Sequence, residues 1–287
     1  MAVLGVADES SIAWAIAQAF SREGAEVLIG YQQRFFSRVR LLLRQHPSVQ
    51  GERCDVLKDE EIAGFFSRFQ ADSLDVLVHS IAGGPPELFV ESPSNVSQDA
   101  FRESLDISAH SLCRVVRHAK PVLRRFASVI TLTYQASQRA DPIYGMMGVV
   151  KSALESTVRY LALELGVKNI RVNAISPGPV VTVAAMGILL SLWRNPEALE
   201  RQRSPLAKEV LARAKAEMGG NVADEEVFAQ VAMKHLQIAV AQKCPIEEAI
   251  TKEDVAGCAL FLGSDCSRKI TGQVIHVDCG LSSCLIV

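Results

Sequence analysis

Neither sign of charge dominates this 287-residue chain: 30 Lys and Arg stand against 32 Asp and Glu, for a formal charge of -2. That balance leaves no electrostatic footprint for nucleic acid or an anionic membrane surface, so the expected partner is a small molecule. No apolar run approaches the ~20 residues that span a bilayer, and the N-terminus lacks a basic stretch followed by an apolar one. The seven cysteines (Cys54, Cys113, Cys244, Cys258, Cys266, Cys279 and Cys284) are scattered, without a CxxC pair. Neither a disulfide framework nor a metal site is therefore expected, and the default compartment is reducing and cytoplasmic. Internal repeats, low-complexity segments and a GxGxxG motif are also missing. With 49% hydrophobic residues, the chain can nonetheless bury a sizeable core.

What is present is alternation. Strand-like apolar runs at 2–5, 26–30, 75–84, 128–134, 169–176 and 273–278, with a short one ending at Cys54-Asp55-Val56, are separated by helical patterns. The helices are expected at about 11–23, 35–45, 98–119 and onward to Leu165. This rhythm predicts an α/β domain with a doubly wound seven-stranded parallel sheet of Rossmann type, whose ligands sit at the carboxyl ends of the strands. The first run is short, which leaves room for a missing upstream segment such as a plastid transit peptide. Residues 189–250 break the rhythm and read as helices over 205–218 and 223–242 around Gly219-Gly220. They are expected to form a helical lid on a single 1–287 domain.

The stretch GVADESSIA (5–13) lies between a strand and a helix, where free helix amides can bind pyrophosphate. Gly5 allows close approach there, and Ser10 or Ser11 can cap the helix. An ordinary capped turn is the competing reading. After the second strand come Tyr31-Gln32-Gln33-Arg34, with neither an acid nor an arginine pair. Gln32 can bond a free ribose 2′-hydroxyl and Arg34 can meet a 2′-phosphate, so NADH is favoured and NADPH stays open. Asp55 at its strand end can accept from an adenine amino group. Ser80, Ile81 and Ala82 end the fourth strand beside the expected cofactor, while His79 and His276 read as structural. The segment 176–188 leaves its strand through Pro177-Gly178-Pro179. Val180 and Thr182 can clamp the cofactor there, and Ala184, Ala185 and Ile188 can wall an apolar pocket, which suggests a lid loop.

The chemistry is expected in 130–152. A strand ends at Tyr134 and a predicted helix carries Tyr144 and Lys151, almost two turns apart and so on one face. A lysine ammonium lowers the pKa of a nearby phenol, and the phenol can bond an oxygen that gains charge.

Together these residues resemble the short-chain dehydrogenase/reductase superfamily, and within it the enoyl-acyl-carrier-protein reductases of type II fatty-acid synthesis. Ordinary members carry Tyr-x3-Lys, whereas position 148 here is Gly and the spacing is Tyr-x6-Lys. Met147 between the two, Tyr134 ahead of them, GVADESSIAWAIA, CDV (54–56), HSIA (79–82), RVNAISPGP and GQVIHVD carry the likeness over nearly the whole chain except 189–250. The resemblance implies an NADH-dependent enoyl-thioester reductase. Tyr144 would bond the thioester carbonyl, Lys151 the nicotinamide ribose, and Tyr134, Gly83 and Met147 the substrate pocket. Gly5, Ile12, Asp55, Val56, Ile81, Ala82, Val180 and Thr182 match cofactor-contact positions. It also implies an acyl-carrier-protein thioester as substrate and a homotetramer. The departures are Ala15, Ala82 and Cys279, where relatives usually have Gly, and 189–250, where relatives are shorter. A carbonyl reductase, and a cofactor-binding homologue without turnover, remain the rival readings.

Overall fold

In the computed structural model, which describes residues 1–201, 204–220, 222 and 224–284, the expected alternation is realised. The chain runs β1 (Ala2–Leu4), α1 (Ile12–Arg22), β2 (Val27–Tyr31), α2 (Phe36–Gln45), β3 (Val49–Arg53), α3 (Asp59–Phe66), β4 (Leu74–His79) and α4 (Glu87–Val90). It continues through α5 (Gln98–Leu105), α6 (Ser111–Ala119), β5 (Leu123–Leu132), α7 (Met147–Leu165) and β6 (Arg171–Pro177). The last elements are α8 (Val183–Trp193), α9 (Pro196–Arg201), α10 (Pro205–Glu217), α11 (Glu225–Ala241), α12 (Lys252–Gly263) and β7 (Val274–Val277).

The seven strands form one parallel sheet in the order β3-β2-β1-β4-β5-β6-β7. β1, β2 and β6 are buried along their whole length, because helices cover both faces and leave no polar side for alternation. One core lies between the sheet and the α3, α6, α7 side, with Phe65, Leu77, Leu112, Val150 and Leu154. The other lies beneath α1, α2 and α12, with Trp14, Ile16, Ile29 and Leu262. Strand order reverses between β1 and β4, so the connections after these neighbours diverge to opposite faces and open a crevice between them.

The expected helix at 98–119 keeps its path with one change: residues Asp106–His110 form a π-helical turn between α5 and α6. Residues 189–250 contain no strand among the described residues. α10 and α11 fall close to the expected helices, although the start expected at 223 lies outside the described residues. The expected boundary at 189 falls inside α8, whose Leu189 and Leu192 pack with Val210, Leu211, Phe228 and Met233 in a third core. Good caps define these helices: the Ser204, Asp224 and Thr251 side chains each accept from backbone amides at the starts of α10, α11 and α12. Side-chain contacts fasten the helical unit to the sheet. The Gln237 amide donates to the carbonyls of Pro179 and Ile250, and Arg38 bridges Asp8 at 3.2 Å and Glu226 at 3.8 Å. No described helix is long and apolar enough to cross a membrane.

Candidate active site

The turn after β1 is built for close approach. Gly5 has φ +101, and a Cβ there would stand 2.0 Å from the Ser80 carbonyl oxygen. Only glycine fits that position. The expected side-chain cap is not made: Ser11 occupies the N-cap of α1, but its hydroxyl donates to the Asp8 carbonyl, and Ser10 turns to the Asp8 carboxylate. The amides of Ile12 and Ala13 at the start of α1 are thus left without a partner among the described residues. At the neighbouring strand ends, the Gln32 amide donates to Asp55 at 3.4 Å while Val56 is buried beneath them, and Arg34 stays exposed against Phe35.

After β4, Ser80 donates its amide to the Leu4 carbonyl, Ile81 packs on the first core, and Ala82 is exposed. Gly83 is held by a side chain that sequence reasoning missed: its N–H donates to Ser108 Oγ at 2.9 Å, and the Ser108 hydroxyl returns a bond to the Gly83 carbonyl. Ser108 lies in the π-helical turn, which offers no sequence signal. His79 is structural, as expected. It is fully buried between Thr131 (Nδ1, 3.0 Å) and Ser111 (Nε2, 2.8 Å), and burial pushes its pKa down to about 3. His276 does have a carboxylate nearby, Asp278 at 3.7 Å.

The largest correction concerns Tyr144. It does not lie on the helix with Lys151, because Gly145 adopts φ +54 and α7 starts only at Met147. A Cβ at 145 would meet the Leu88 carbonyl oxygen at 2.2 Å, so this turn is docked on α4 and cannot join the helix. The tertiary fold brings Tyr144 to Tyr134 instead, with ring centroids 4.6 Å apart. The Tyr134 hydroxyl donates to Asp141 at 3.2 Å. Burial, then the Asp141 charge, raises the pKa of both phenols. The expected lowering by Lys151 is therefore overturned, and both tyrosines are neutral hydrogen-bond donors. Lys151 is 3% exposed and donates to the Leu132 carbonyl at 2.8 Å, and burial lowers its pKa to about 8.

The segment expected as a lid loop becomes helical from Val183 onward. Thr182 caps α8 by accepting from the Ala185 amide at 3.2 Å, which leaves the hydroxyl proton free to donate, and Val180 is buried in the second core. Ala185 packs on the third core, Ile188 is half-buried and Ala184 is exposed. Met147 is buried in the first core at the start of α7.

These features match a known family. The model for enoyl-(acyl carrier protein) reductase aligns with residues 5–219 and 227–282. The chain belongs to the enoyl-(acyl carrier protein) reductase family. It is 35% identical over 282 residues to the NADH enoyl-[acyl-carrier-protein] reductase FabI of Aquifex aeolicus, covering 97% of this chain and 89% of the relative. It is 32% identical to that of Enterococcus faecalis, covering 97% and 95%. Among solved structures, the Aquifex aeolicus reductase superposes with a TM-score of 0.78 at 34% identity, over 99% of this chain and 97% of that one. The Bacillus cereus reductase bound to NADP+ and indole naphthyridinone gives 0.79 at 30% identity, over 99% and 96%. Cys279, named above as a departure, has a physical reading. The residue has φ +55, a left-handed conformation that a side chain resists.

Proposed function

We propose that this enzyme reduces the carbon–carbon double bond of a trans-2-enoyl thioester with NADH, in acyl-chain biosynthesis. The observation that carries the reading is the division of labour between the two tyrosines. The Tyr134 hydroxyl proton is engaged by Asp141, whereas the Tyr144 hydroxyl has no hydrogen-bond partner among the described residues. Tyr144 is thus free to donate to the thioester carbonyl, and its raised pKa keeps that proton in place at neutral pH. Tyr134 lies against it and borders the acyl chain, with Gly83, Ala185 and Ile188 as further pocket walls.

The crevice fits a nicotinamide dinucleotide: the Gly5 turn admits only backbone, the α1 amides lack a side-chain cap, and Lys151 spends one donor on Leu132 and keeps two for ribose hydroxyls. When bound, the cofactor supplies hydride to the β-carbon. Ser11 and Ile12 would hold its pyrophosphate, Gln32 and Asp55 the adenosine side, Ser80 to Ala82 the nicotinamide edge, and Val180 with Thr182 the carboxamide. The Gln32–Asp55 pair offers an acceptor to a ribose hydroxyl, which favours NADH over NADPH, in keeping with the NADH reductases of Aquifex aeolicus and Enterococcus faecalis that this chain resembles.

The acyl group arrives on acyl carrier protein in this reading, as the relatives' names state for them. Residues 189–250 act as a helical lid, and the contacts of Arg201 with Val90 and of Gln237 with Pro179 support that role. The assembly is a homotetramer in the cytoplasm. Tyr160 and Leu163, 73% and 77% exposed on α7, provide an apolar face that favours association.

The test is cofactor oxidation with a medium-chain trans-2-enoyl thioester beside a 3-oxoacyl thioester. Turnover is expected with the enoyl substrate alone, falling about 10²–10⁴-fold in Tyr144→Phe. Turnover with the ketone alone would refute the assignment.

A further inference from the structure

Glu155 is a buried carboxylate, 6% exposed, one turn beyond Lys151 on α7. Its Oε1 accepts from the Thr133 hydroxyl at 2.8 Å and from the Ser137 hydroxyl. Those two residues flank Tyr134, so a single oxygen holds both ends of the Tyr134 turn against the helix that carries Lys151. Close packing reinforces the seam: Gly148 abuts the Ala136 carbonyl, and the Ser152 hydroxyl donates to the Ser137 carbonyl at 2.6 Å.

An ammonium buried as deeply as Lys151 needs an anion within reach. Glu155, one helical turn on along α7, is the carboxylate whose charge supports it. His79 on β4 is held neutral between Thr131 and Ser111, and Tyr134 and Tyr144 are neutral phenols. Asp141 is engaged with Tyr134 and with the Ile143 amide, and Asp278, beyond β7, with the Gly280 and Ser282 amides.

We propose that Glu155 is a positioning residue for the reaction: its carboxylate keeps Lys151 in the ammonium form and fixes the Tyr134 turn on the same helix. Ribose ligand and tyrosine pair thereby share one rigid frame. The proposal rests on the reading of Lys151 as the ribose ligand. Burial lowers the Lys151 pKa to about 8, and Glu155 is the group that opposes the fall. Without that charge, Lys151 would lose its proton closer to neutrality.

The experiment is NADH affinity, read by fluorescence titration across pH for the full-length protein and its variants. Wild-type binding is expected to weaken as pH rises through about 8. Glu155→Gln should weaken at lower pH, so that it binds about fivefold or more weakly than wild type near the wild-type midpoint and equally well in mild acid. Thr133→Val keeps the charge but loosens the clamp; it should leave the pH midpoint in place and raise the KM for the enoyl thioester. An unshifted midpoint in Glu155→Gln overturns the proposal. If that variant does not fold, Glu155→Asp decides: it retains the charge and shortens the reach, so the midpoint should hold while KM rises, and a shifted midpoint refutes the idea. Lys151→Met separates the underlying reading. If it binds NADH with wild-type affinity and pH profile, the ribose assignment fails and takes the proposal with it.

Discussion

Replacing Gly148 by alanine probes the seam on which the site depends. A Cβ at 148 would stand 2.5 Å from the Ala136 carbonyl oxygen and 3.4 Å from the Ala136 Cβ. The nearer atom belongs to backbone, so the clash cannot be relieved by rotating a side chain; the first turn of α7 or the 135–137 turn must move. Two effects oppose each other. Alanine is favoured over glycine inside a helix by about 0.5–1 kcal/mol, whereas overpacking costs about 1–3 kcal/mol. The steric cost should win, for a net loss of about 1–2 kcal/mol. With an unfolding entropy of about 2 cal/mol/K per residue, this chain loses about 2–4 °C of melting temperature. The effect on catalysis should be larger. The displaced turn carries Tyr134, and the displaced helix carries Lys151 away from the Leu132 carbonyl at 2.8 Å. A misplacement of that size should lower kcat by about tenfold or more. Thermal melting and enoyl-thioester turnover on the same preparation check both parts. A variant that melts at or above wild type with full turnover would mean that helix propensity dominates and the seam positions nothing.

Gly5→Ala places a side chain at φ +101 and 2.0 Å from a carbonyl oxygen; a loss of about 3 kcal/mol or more and abolished NADH binding are expected, and native melting with native affinity would contradict this. Cys279→Gly removes the strain at φ +55 and should gain up to about 1 kcal/mol in urea unfolding, once the extra freedom of glycine in the unfolded chain is deducted; a loss would mean that the packing of the thiol matters more. His79 gives an acid-sensitive term. Its folded pKa of about 3 lies below the unfolded value of 6.5, so its contribution is complete above 6.5 and disappears as pH falls toward 3, at about 1.4 kcal/mol per pH unit. His79→Gln should flatten stability between those limits, and an unchanged acid slope would refute the assignment.

Much of this protein was legible in the chain itself. Apolar runs with no polar alternation specify strands buried on both faces, and helical patterns between them specify parallel crossovers, so the seven-stranded sheet follows from local periodicity. Gly5, Asp55, Tyr134, Tyr144 and Lys151 stand out in the chain as candidates because each falls at a strand end or in a spaced motif. Tertiary structure decided what local pattern cannot encode. Gly145 is left-handed because it docks on Leu88, 57 residues earlier, and that contact takes Tyr144 off the helix and sets it against Tyr134. The phenol pKa values rise through burial and the Asp141 charge, while Lys151, close to Tyr144 in number, donates to the Leu132 carbonyl. Ser108 and Glu155 gain their roles only when a π-helical turn meets Gly83 and a helix face meets the turn after β5. Periodicity fixes which residues face inward, but which charges and hydroxyls then meet is set by packing between distant segments, and there the sequence is silent.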